Sequence, residues 1–208
     1  MPPKTHYFTS EPFDPATARQ IEVVLAGRAL AATTASGVFS PSRIDLGTAV
    51  LLRTLARRDP RSDLPRRGLA VDVGSGWGPL ALTMALLAPA VRVAAVDTNQ
   101  AARELTALNA ERLGLDNIAV MTPAEARSLT RIDALWSNPP IRIGKDALHD
   151  LLGNWLERLA PDGHADLVVQ RNLGADSLQT WLVALGYPTE RLASAKGYRV
   201  LRAAPRAG

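Results

Sequence analysis

The sequence predicts an α/β protein built on a doubly wound, mostly parallel seven-stranded sheet. From residue 69 onward, short apolar runs alternate with helical stretches, a pattern typical of a parallel sheet with helices on both faces. The first apolar run leads into a glycine-rich turn, and a later one stops abruptly at Asn138-Pro139-Pro140. A chain of 208 residues is long enough for one such domain with a small extension.

Residues 1–68 are predicted to be a small N-terminal β/α elaboration of the main domain, because their apolar content is too thin for a separate core. Gly27 suits a turn between two strands, and Asp45 is a residue type that caps helices well. The predicted elements are, in chain order, an extended arm (1–18), two strands (20–25 and 28–34), a helix (46–55) and a loop (59–68).

Residues 69–208 are predicted to form the main domain. Pro79 is acceptable at a first helical position, and Gly114 suits a helix end. We expect Pro161-Asp162-Gly163 to terminate the helix that precedes it. The predicted strands are 69–73, 91–96, 118–121, 134–136, 164–170, 188–193 and 198–203, and the predicted helices are 79–88, 99–113, 146–159 and 175–185.

The composition narrows the classes of function. Without cysteine there is no disulfide, thiolate metal site or cysteine nucleophile, and the three histidines lack zinc spacing, so we expect no metal. The longest apolar stretch, 80–96, is broken by Pro89 and Arg92, which predicts no membrane span and a cytoplasmic protein. The net charge of +4 favours a polyanionic partner only weakly, and the oligomeric state stays open.

Glycines 74, 76 and 78 follow a predicted strand and precede a predicted helix, where backbone must pass close to a ligand. Asp97 ends the next strand, about 20 residues further on, where an acidic residue can accept the hydroxyls of a ribose. A tight turn and a helix cap are the structural alternatives. The strand–loop–helix context favours a ligand site.

The Asn138-Pro139-Pro140 motif ends a strand with two residues that have no backbone N–H. The prolines should hold the chain extended and present two acceptors, the Asn138 side-chain oxygen and the Pro139 carbonyl. Two such acceptors suit a planar –NH2 group whose nitrogen lone pair must be directed at an electrophile. An ordinary Pro-Pro turn remains the alternative, because tripeptide motifs have a high false-positive rate.

Asp72, the three glycines and Asp97 together resemble the Rossmann-like class I S-adenosylmethionine-dependent methyltransferases. The resemblance implies S-adenosylmethionine as cofactor, with the first and fourth strands of the main domain as neighbours and one pocket at their ends. Many such enzymes carry an acidic residue after the third strand, and here either Glu125 or the backbone of Ala124 would replace it. The residues predicted to bind the cofactor are Asp72, Gly74, Ser75, Gly76, Gly78, Asp97, Thr98, Ala124 and Asn138.

The segments 137–145, 37–40, 45–48 and 196–198 are similar to the small-domain ribosomal RNA guanine-N2 methyltransferases (RsmC-like), in their single-domain form. That resemblance implies methyl transfer to the N2 amine of a guanosine in small-subunit (16S) ribosomal RNA. It also implies that Asn138 and the Pro139 carbonyl hold the amine and that Ile141 packs against the base. The predicted catalytic residues are Asn138, Pro139, Pro140 and Ile141, and the predicted RNA-binding residues are Phe39, Arg142, Lys145 and Gln170.

Three other functions are also compatible with the sequence. The Asn-Pro-Pro motif is shared with adenine-N6 and protein glutamine-N5 methyltransferases, in which an aromatic residue commonly follows the motif. A non-catalytic RNA-binding factor that retains the fold is a second alternative, although intact Asp72, Asp97 and Asn138 argue against it. A small-molecule methyltransferase is a third, and it predicts little dependence of activity on salt.

Overall fold

A computed structural model describes residues 12–58 and 63–206 and contains a seven-stranded sheet with a separate hairpin. The predicted arm residues 1–11 and loop residues 59–62 lie outside this description. The strands are β1 (Arg19–Leu25), β2 (Arg28–Thr34), β3 (Gly68–Val73), β4 (Val91–Val96), β5 (Ile118–Met121), β6 (Ile132–Ser137), β7 (Leu159–Gln170), β8 (Thr189–Ala195) and β9 (Tyr198–Ala203). The helices are α1 (Leu46–Arg57), α2 (Pro79–Leu87), α3 (Gln100–Arg112), α4 (Lys145–Leu156) and α5 (Ala175–Ala184).

The order of strands in the main sheet is β5-β4-β3-β6-β7-β9-β8. The pairs from β5 to β7 are parallel, and β9 runs antiparallel to both of its neighbours. This arrangement confirms the predicted fold class. It also confirms that β3 and β6, which precede the glycine loop and the Asn-Pro-Pro motif, lie side by side.

Alternation along the strands divides the apolar core between the two faces of the sheet. Val71 and Leu135 pack on one face with residues of α4 and α5. Ala70 and Trp136 pack on the other face with α1 and α2. Because successive strand side chains point to opposite faces, strands buried on both sides read as continuous apolar runs.

Strand β7 differs from its prediction, because α4 ends at Leu156 and the strand already begins at Leu159. The Pro161-Asp162-Gly163 segment therefore lies inside the strand rather than between helix and strand. It forms a bulge, at which the register against β6 shifts between Ile132 and Ala134. Proline is tolerated at a bulge, and a Cβ at Gly163 would stand 2.5 Å from the Ile132 carbonyl oxygen, so glycine is required there.

The N-terminal hairpin packs on α2 and α3, where Val23, Leu25 and Ala32 share an apolar cluster with Trp77 and Leu105. The buried amide of Asn109 joins the two parts. Its Oδ1 accepts from the Thr33 N–H at 2.7 Å, and its Nδ2 donates to the carbonyls of Thr33 at 2.8 Å and Trp77 at 3.0 Å. One α3 side chain therefore holds both the hairpin and the end of the glycine loop.

Helix α1 lies against β7 and β9, and buried ion pairs anchor the chain beyond its C-terminus. The Arg202 guanidinium donates to both carboxylate oxygens of Asp166 at 2.7 Å and pairs with Asp63 at 2.7 Å. Burial alone would raise the pKa of Asp166, but hydrogen bonds from His164 and Arg202 and their charges bring it below its ordinary value. These paired charges fix the N-terminal segment to the sheet.

We expect Asn109→Ala to lower the free energy of unfolding by about 2–4 kcal/mol, because it leaves the buried Thr33 N–H and the Trp77 carbonyl without their partner. Urea denaturation followed by circular dichroism measures this change. Asn154→Ala is the matched control, since that exposed amide only donates to the Asp150 carbonyl of its own helix, and its effect should stay within about 0.5 kcal/mol. Equal losses of unfolding free energy in the two variants would contradict the role of Asn109 in holding the hairpin to the glycine loop.

Candidate active site

A cleft opens at the carboxyl ends of β3, β4 and β6, with an empty volume of about 1010 Å³ when the space open to solvent is counted. Strand order reverses between β3 and β6, and ligands of doubly wound sheets bind outside such a switch point. The predicted site residues that line the cleft are Phe39, Gly74, Ser75, Gly76, Asp97, Thr98, Asn138 and Pro140.

The glycine loop leaves open space beside its backbone. Gly74 and Gly76 have positive φ angles of 80° and 58°, and a Cβ at either position would meet no atom within 4 Å. Gly78 also has a positive φ, but a Cβ there would lie 3.1 Å from Thr106 Cγ2. The first two glycines therefore leave room for a ligand, whereas the third permits close packing against α3.

Asp72 is completely buried at the end of β3. Its Oδ2 accepts from the Ala81 N–H at 3.0 Å, while its Oδ1 has no hydrogen-bond partner among the described residues. Burial and, to a lesser extent, the negative charge of Asp97 together raise the pKa of Asp72 from 3.8 to about 8, although the Ala81 hydrogen bond acts in the opposite direction. A cation bound nearby would compensate for this desolvation, so the site fits a positively charged ligand.

Asp97 is held by backbone donors. Its Oδ1 accepts from the Asn99 N–H at 2.8 Å, and its Oδ2 accepts from the Gly76 N–H at 2.9 Å. Burial raises the pKa of Asp97, although these hydrogen bonds act in the opposite direction. Each carboxylate oxygen retains a second acceptor position, which can receive a ribose hydroxyl.

The Asn138 amide is held from outside the main domain. Its Nδ2 donates to Asp45 Oδ2 at 2.8 Å and to Thr48 Oγ1 at 3.1 Å; Asp45 is the N-cap of α1, and Thr48 lies in its first turn. A carboxylate only accepts, so the –NH2 group must face Asp45 and Oδ1 must point away from it. The sequence indicates Asp45 as a helix cap, whereas its contact with Asn138 joins residues too far apart in the chain for a local pattern to reveal.

The Pro139 carbonyl is partly engaged, because one of its two lone pairs already accepts a hydrogen bond within the chain, which leaves one for an amine. It accepts from the Ile141 N–H at 2.8 Å across Pro140, whose φ of −74° and ψ of 75° are those of an inverse γ-turn. Pro139 is buried, and it is Pro140 that lines the cleft. Ile143 lines the cleft and Ile141 does not, although both pack against the core.

Five other predicted residues do not line the cleft. Ala124 is exposed, and Pro123 lines the cleft instead. Glu125 turns back to accept from the Thr122 N–H at 2.7 Å and hydroxyl at 2.8 Å, and these bonds lower its pKa. The predicted residues outside the lining are Asp72, Gly78, Ala124, Lys145 and Gln170, while the Arg142 side chain lies outside the described part of the structure.

Apolar side chains that the sequence did not single out complete the walls of the cleft. Leu80 comes from α2, Leu151 and Trp155 from α4, and Trp77 from the glycine loop. Within residues 12–58 and 63–206, no cluster of histidine and carboxylate side chains could hold a metal ion. In the same part of the chain, every helix is too short or too polar to cross a bilayer.

Comparison with known proteins identifies the group to which this fold and site belong. The profile of the methyltransferase small domain family matches residues 29–202. The uncharacterized protein YbxB of Bacillus subtilis is 28% identical over 201 residues, covering 95% of this chain and 97% of the relative. The ribosomal RNA small subunit methyltransferase C of Pseudomonas aeruginosa is 29% identical over 208 residues, covering 93% of this chain and 57% of the relative.

Solved structures agree on the fold. A 16S ribosomal RNA N2 guanine methyltransferase of T. thermophilus, in complex with AdoMet and guanosine, matches with a TM-score of 0.78 at 24% identity, covering 92% of this chain and 52% of that one. A ribosomal protein L11 methylase of Lactobacillus delbrueckii subsp. bulgaricus matches with a TM-score of 0.66 at 20% identity, over 90% of this chain and 100% of that one. The chain thus spans about half the length of the ribosomal RNA enzymes it matches.

The family match confirms the resemblance inferred from the glycine loop and the Asn-Pro-Pro motif, and with it S-adenosylmethionine as the cofactor. The residues present fit this molecule. Gly74 and Gly76 leave open space for it, and Asp97 retains acceptor positions for its ribose. The buried Asp72 carboxyl, with one oxygen unpartnered within the described chain, suits its positively charged methionine end.

We expect Asp72→Asn to remove a pH dependence of stability in the cofactor-free protein. Because the pKa of Asp72 is about 8 in the folded state and 3.8 ordinarily, the folded state holds a proton in this window that the unfolded state has lost. The free energy of unfolding of the wild type should therefore decrease as the pH rises from 4 to 8, relative to the variant. Denaturant titrations of both proteins at pH 5, 6.5 and 8 measure the difference between their free energies of unfolding. A difference that stays constant with pH would contradict a proton held by Asp72 in the folded state.

Proposed function

The chain belongs to the methyltransferase small domain family, and we propose that it transfers a methyl group from S-adenosylmethionine to the exocyclic N2 of a guanosine in small-subunit (16S) ribosomal RNA, in the cytoplasm. One observation carries the proposal. The Asn138 amide lies in the same cleft as Asp97 and the glycine loop, with its –NH2 group committed to Asp45. Its Oδ1 can therefore accept a hydrogen bond from an amine beside the cofactor.

S-adenosylmethionine supplies an electrophilic methyl group on a sulfonium, so the reaction forms a C–N bond, breaks a C–S bond and releases a proton. In this proposal Asn138 Oδ1 accepts one N–H of the amine and directs its lone pair at the methyl carbon. Pro140, Ile143 and Trp155 provide apolar walls that exclude water from the reacting atoms. The methylated amine is acidic and passes its proton to solvent, so positioning contributes more than a strong base.

Exposed basic residues at the cleft edge support an RNA substrate. Lys145 begins α4, which follows the Asn-Pro-Pro motif after one short turn, and Arg43 precedes α1. Arg171 follows β7 and donates its N–H to the Gly197 carbonyl at 2.8 Å, which brings Lys196 to the same edge. Phosphate groups of RNA are the ligands expected for such a set of cations.

The relatives support the same substrate class without deciding it. The enzymes of Pseudomonas aeruginosa and T. thermophilus are named for ribosomal RNA methylation, but this chain spans only 57% and 52% of them. The L11 methylase shares the fold while being named for a protein substrate. The fold alone thus does not decide the acceptor. Protein glutamine and adenine N6 are the second candidate acceptors, since each presents a planar amide or amine that an Asn-Pro-Pro motif could hold.

We expect the purified protein to transfer label from S-adenosylmethionine to ribosomal RNA or small subunits from cells lacking it, with the label recovered as N2-methylguanosine. Asn138→Ala should lower kcat by about 10²-fold, because the amine loses its orienting acceptor. Label recovered as N6-methyladenosine or on protein would assign the rival acceptor. An Asn138→Ala variant with full kcat would exclude the proposed role of Asn138.

We expect Lys145→Gln and Arg171→Gln each to weaken RNA binding and to reduce the slope of log affinity against log salt by about 0.7–0.9, the value for one lost phosphate contact. Filter binding at salt concentrations from about 0.05 to 0.3 M, a range over which screening changes from weak to strong, measures both effects. Arg92→Gln is the matched control, since Arg92 is exposed near the amino end of β4, at the opposite edge of the sheet. Equal slopes in all the proteins would contradict an RNA surface around the cleft.

A further inference from the structure

We infer that Asp45, assisted by Thr48, is a positioning residue that orients and polarises the Asn138 amide for methyl transfer. The inference rests on the proposed function, since it assumes that Asn138 accepts a hydrogen bond from the acceptor amine. Asp45 and Thr48 both line the cleft, 93 and 90 residues before Asn138 in the chain. The N-terminal segment would thus take part in the reaction through Asn138 rather than by touching the substrate.

The contact fixes the direction of the amide. Asp45 Oδ2 accepts from Asn138 Nδ2 at 2.8 Å, and the Thr48 hydroxyl lies 3.1 Å from the same nitrogen. Rotating the amide by 180° would set its Oδ1 against a carboxylate oxygen, and two acceptors repel. Only the orientation with Oδ1 directed away from Asp45 is therefore stable.

Asp45 is itself held in place by the start of α1. Its Oδ2 also accepts from the Gly47 N–H at 2.8 Å and the Thr48 N–H at 3.4 Å. Gly47 allows this close approach, because a Cβ there would lie 3.0 Å from Asp45 Oδ2 and 2.9 Å from Tyr198 Cε1. The orienting carboxylate therefore sits on a rigid helix end packed against the main sheet.

The negative charge should also strengthen Asn138 as an acceptor. A hydrogen bond from an amide –NH2 to a carboxylate is charge-assisted, and it shifts electron density toward the amide oxygen. The acceptor amine gains positive charge as it bonds to the methyl carbon. A preorganised dipole aligned with a nearby carboxylate stabilises that charge as it develops.

Helix capping and orientation can be separated by substitution. Serine caps helices about as well as aspartate, but its shorter side chain cannot reach Asn138. Asparagine also caps, and its Oδ1 can accept both from the helix N–H groups and from Asn138 Nδ2 without a charge. Asp45→Ser therefore removes the contact while keeping the cap, and Asp45→Asn keeps both.

Steady-state kinetics of methyl transfer test the inference. Asp45→Ser should lower kcat by about 10²-fold, as expected for a misplaced reacting group, with KM for S-adenosylmethionine within about threefold of wild type. Asp45→Asn should recover much of that loss, because it restores the acceptor. A folded Asp45→Ser variant with kcat within about twofold of wild type would overturn the inference, and so would equal large losses in both variants.

Thr48→Val and Thr54→Val form a matched pair on the same helix. Thr48 loses its contact with Asn138, whereas the Thr54 hydroxyl only donates to the Val50 carbonyl, at 2.8 Å. We expect Thr48→Val to lower kcat by about 3- to 10-fold, the value of one ordinary hydrogen bond, and Thr54→Val to leave it unchanged. Equal kcat values in the two variants would overturn the assistance by Thr48.

A spectroscopic readout separates this inference from the proposed function. The side-chain amide signal of Asn138, assigned by its loss in Asn138→Ala, should shift in Asp45→Ser and its protons should exchange faster with solvent. If that shift occurs in a protein that methylates no guanosine, the orientation stands and the acceptor assignment fails. If the wild type methylates guanosine but the signal is the same in Asp45→Ser, the orienting role of Asp45 is overturned.

Discussion

The parallel pairing of β3 with β6 is the constraint on which the cleft depends. Val73 and Ser137 are partners at the carboxyl ends of these strands, and the buried Ser137 hydroxyl donates to the Val73 carbonyl at 2.6 Å. Directly beyond them the chain enters the glycine loop on one strand and Asn138 on the other. Because the connections that follow β3 and β6 run in opposite directions, a space opens between the glycine loop and the Asn-Pro-Pro motif.

The N-terminal segment supplies the remaining wall of that space. Asn99 donates its side-chain N–H to the Gly37 carbonyl at 2.8 Å, which joins the loop after β4 to the turn that carries Phe39. Two further contacts join the N-terminal segment to the main domain: the Asn109 amide donates to the Thr33 carbonyl, and the Asn138 amide donates to Asp45 at the start of α1. Residues before and after position 68 follow one another in the chain, but the cleft is lined by residues from both parts.

Features that depend on neighbouring residues could be predicted from the sequence, and those that depend on distant geometry could not. The strand–glycine–helix pattern and the abrupt strand end at Asn138 are local patterns, and residues of both line the cleft. The engagement of the Pro139 carbonyl depends on the ψ angle of Pro140, which residue identity alone leaves free. The Asp45–Asn138 contact joins residues that only the packing of α1 on the sheet brings together.

The distribution of charge then explains how a chain with a net charge of +4 can serve a cationic cofactor. Asp45 and Asp97 line the cleft, and Asp72 is buried at the end of β3. Burial raises the pKa of Asp72 and of Asp97, so a cation bound in the cleft would favour the ionised forms of both. The exposed Lys145 and Arg171 lie outside it, on the surface at the same edge of the sheet. Buried carboxylates act over short distances on a cation within the cleft, while the exposed cations act on phosphates within about 8–10 Å, the range that salt permits. One edge of the sheet can therefore bind a positively charged methyl donor and a polyanionic acceptor without the two sets of charges cancelling.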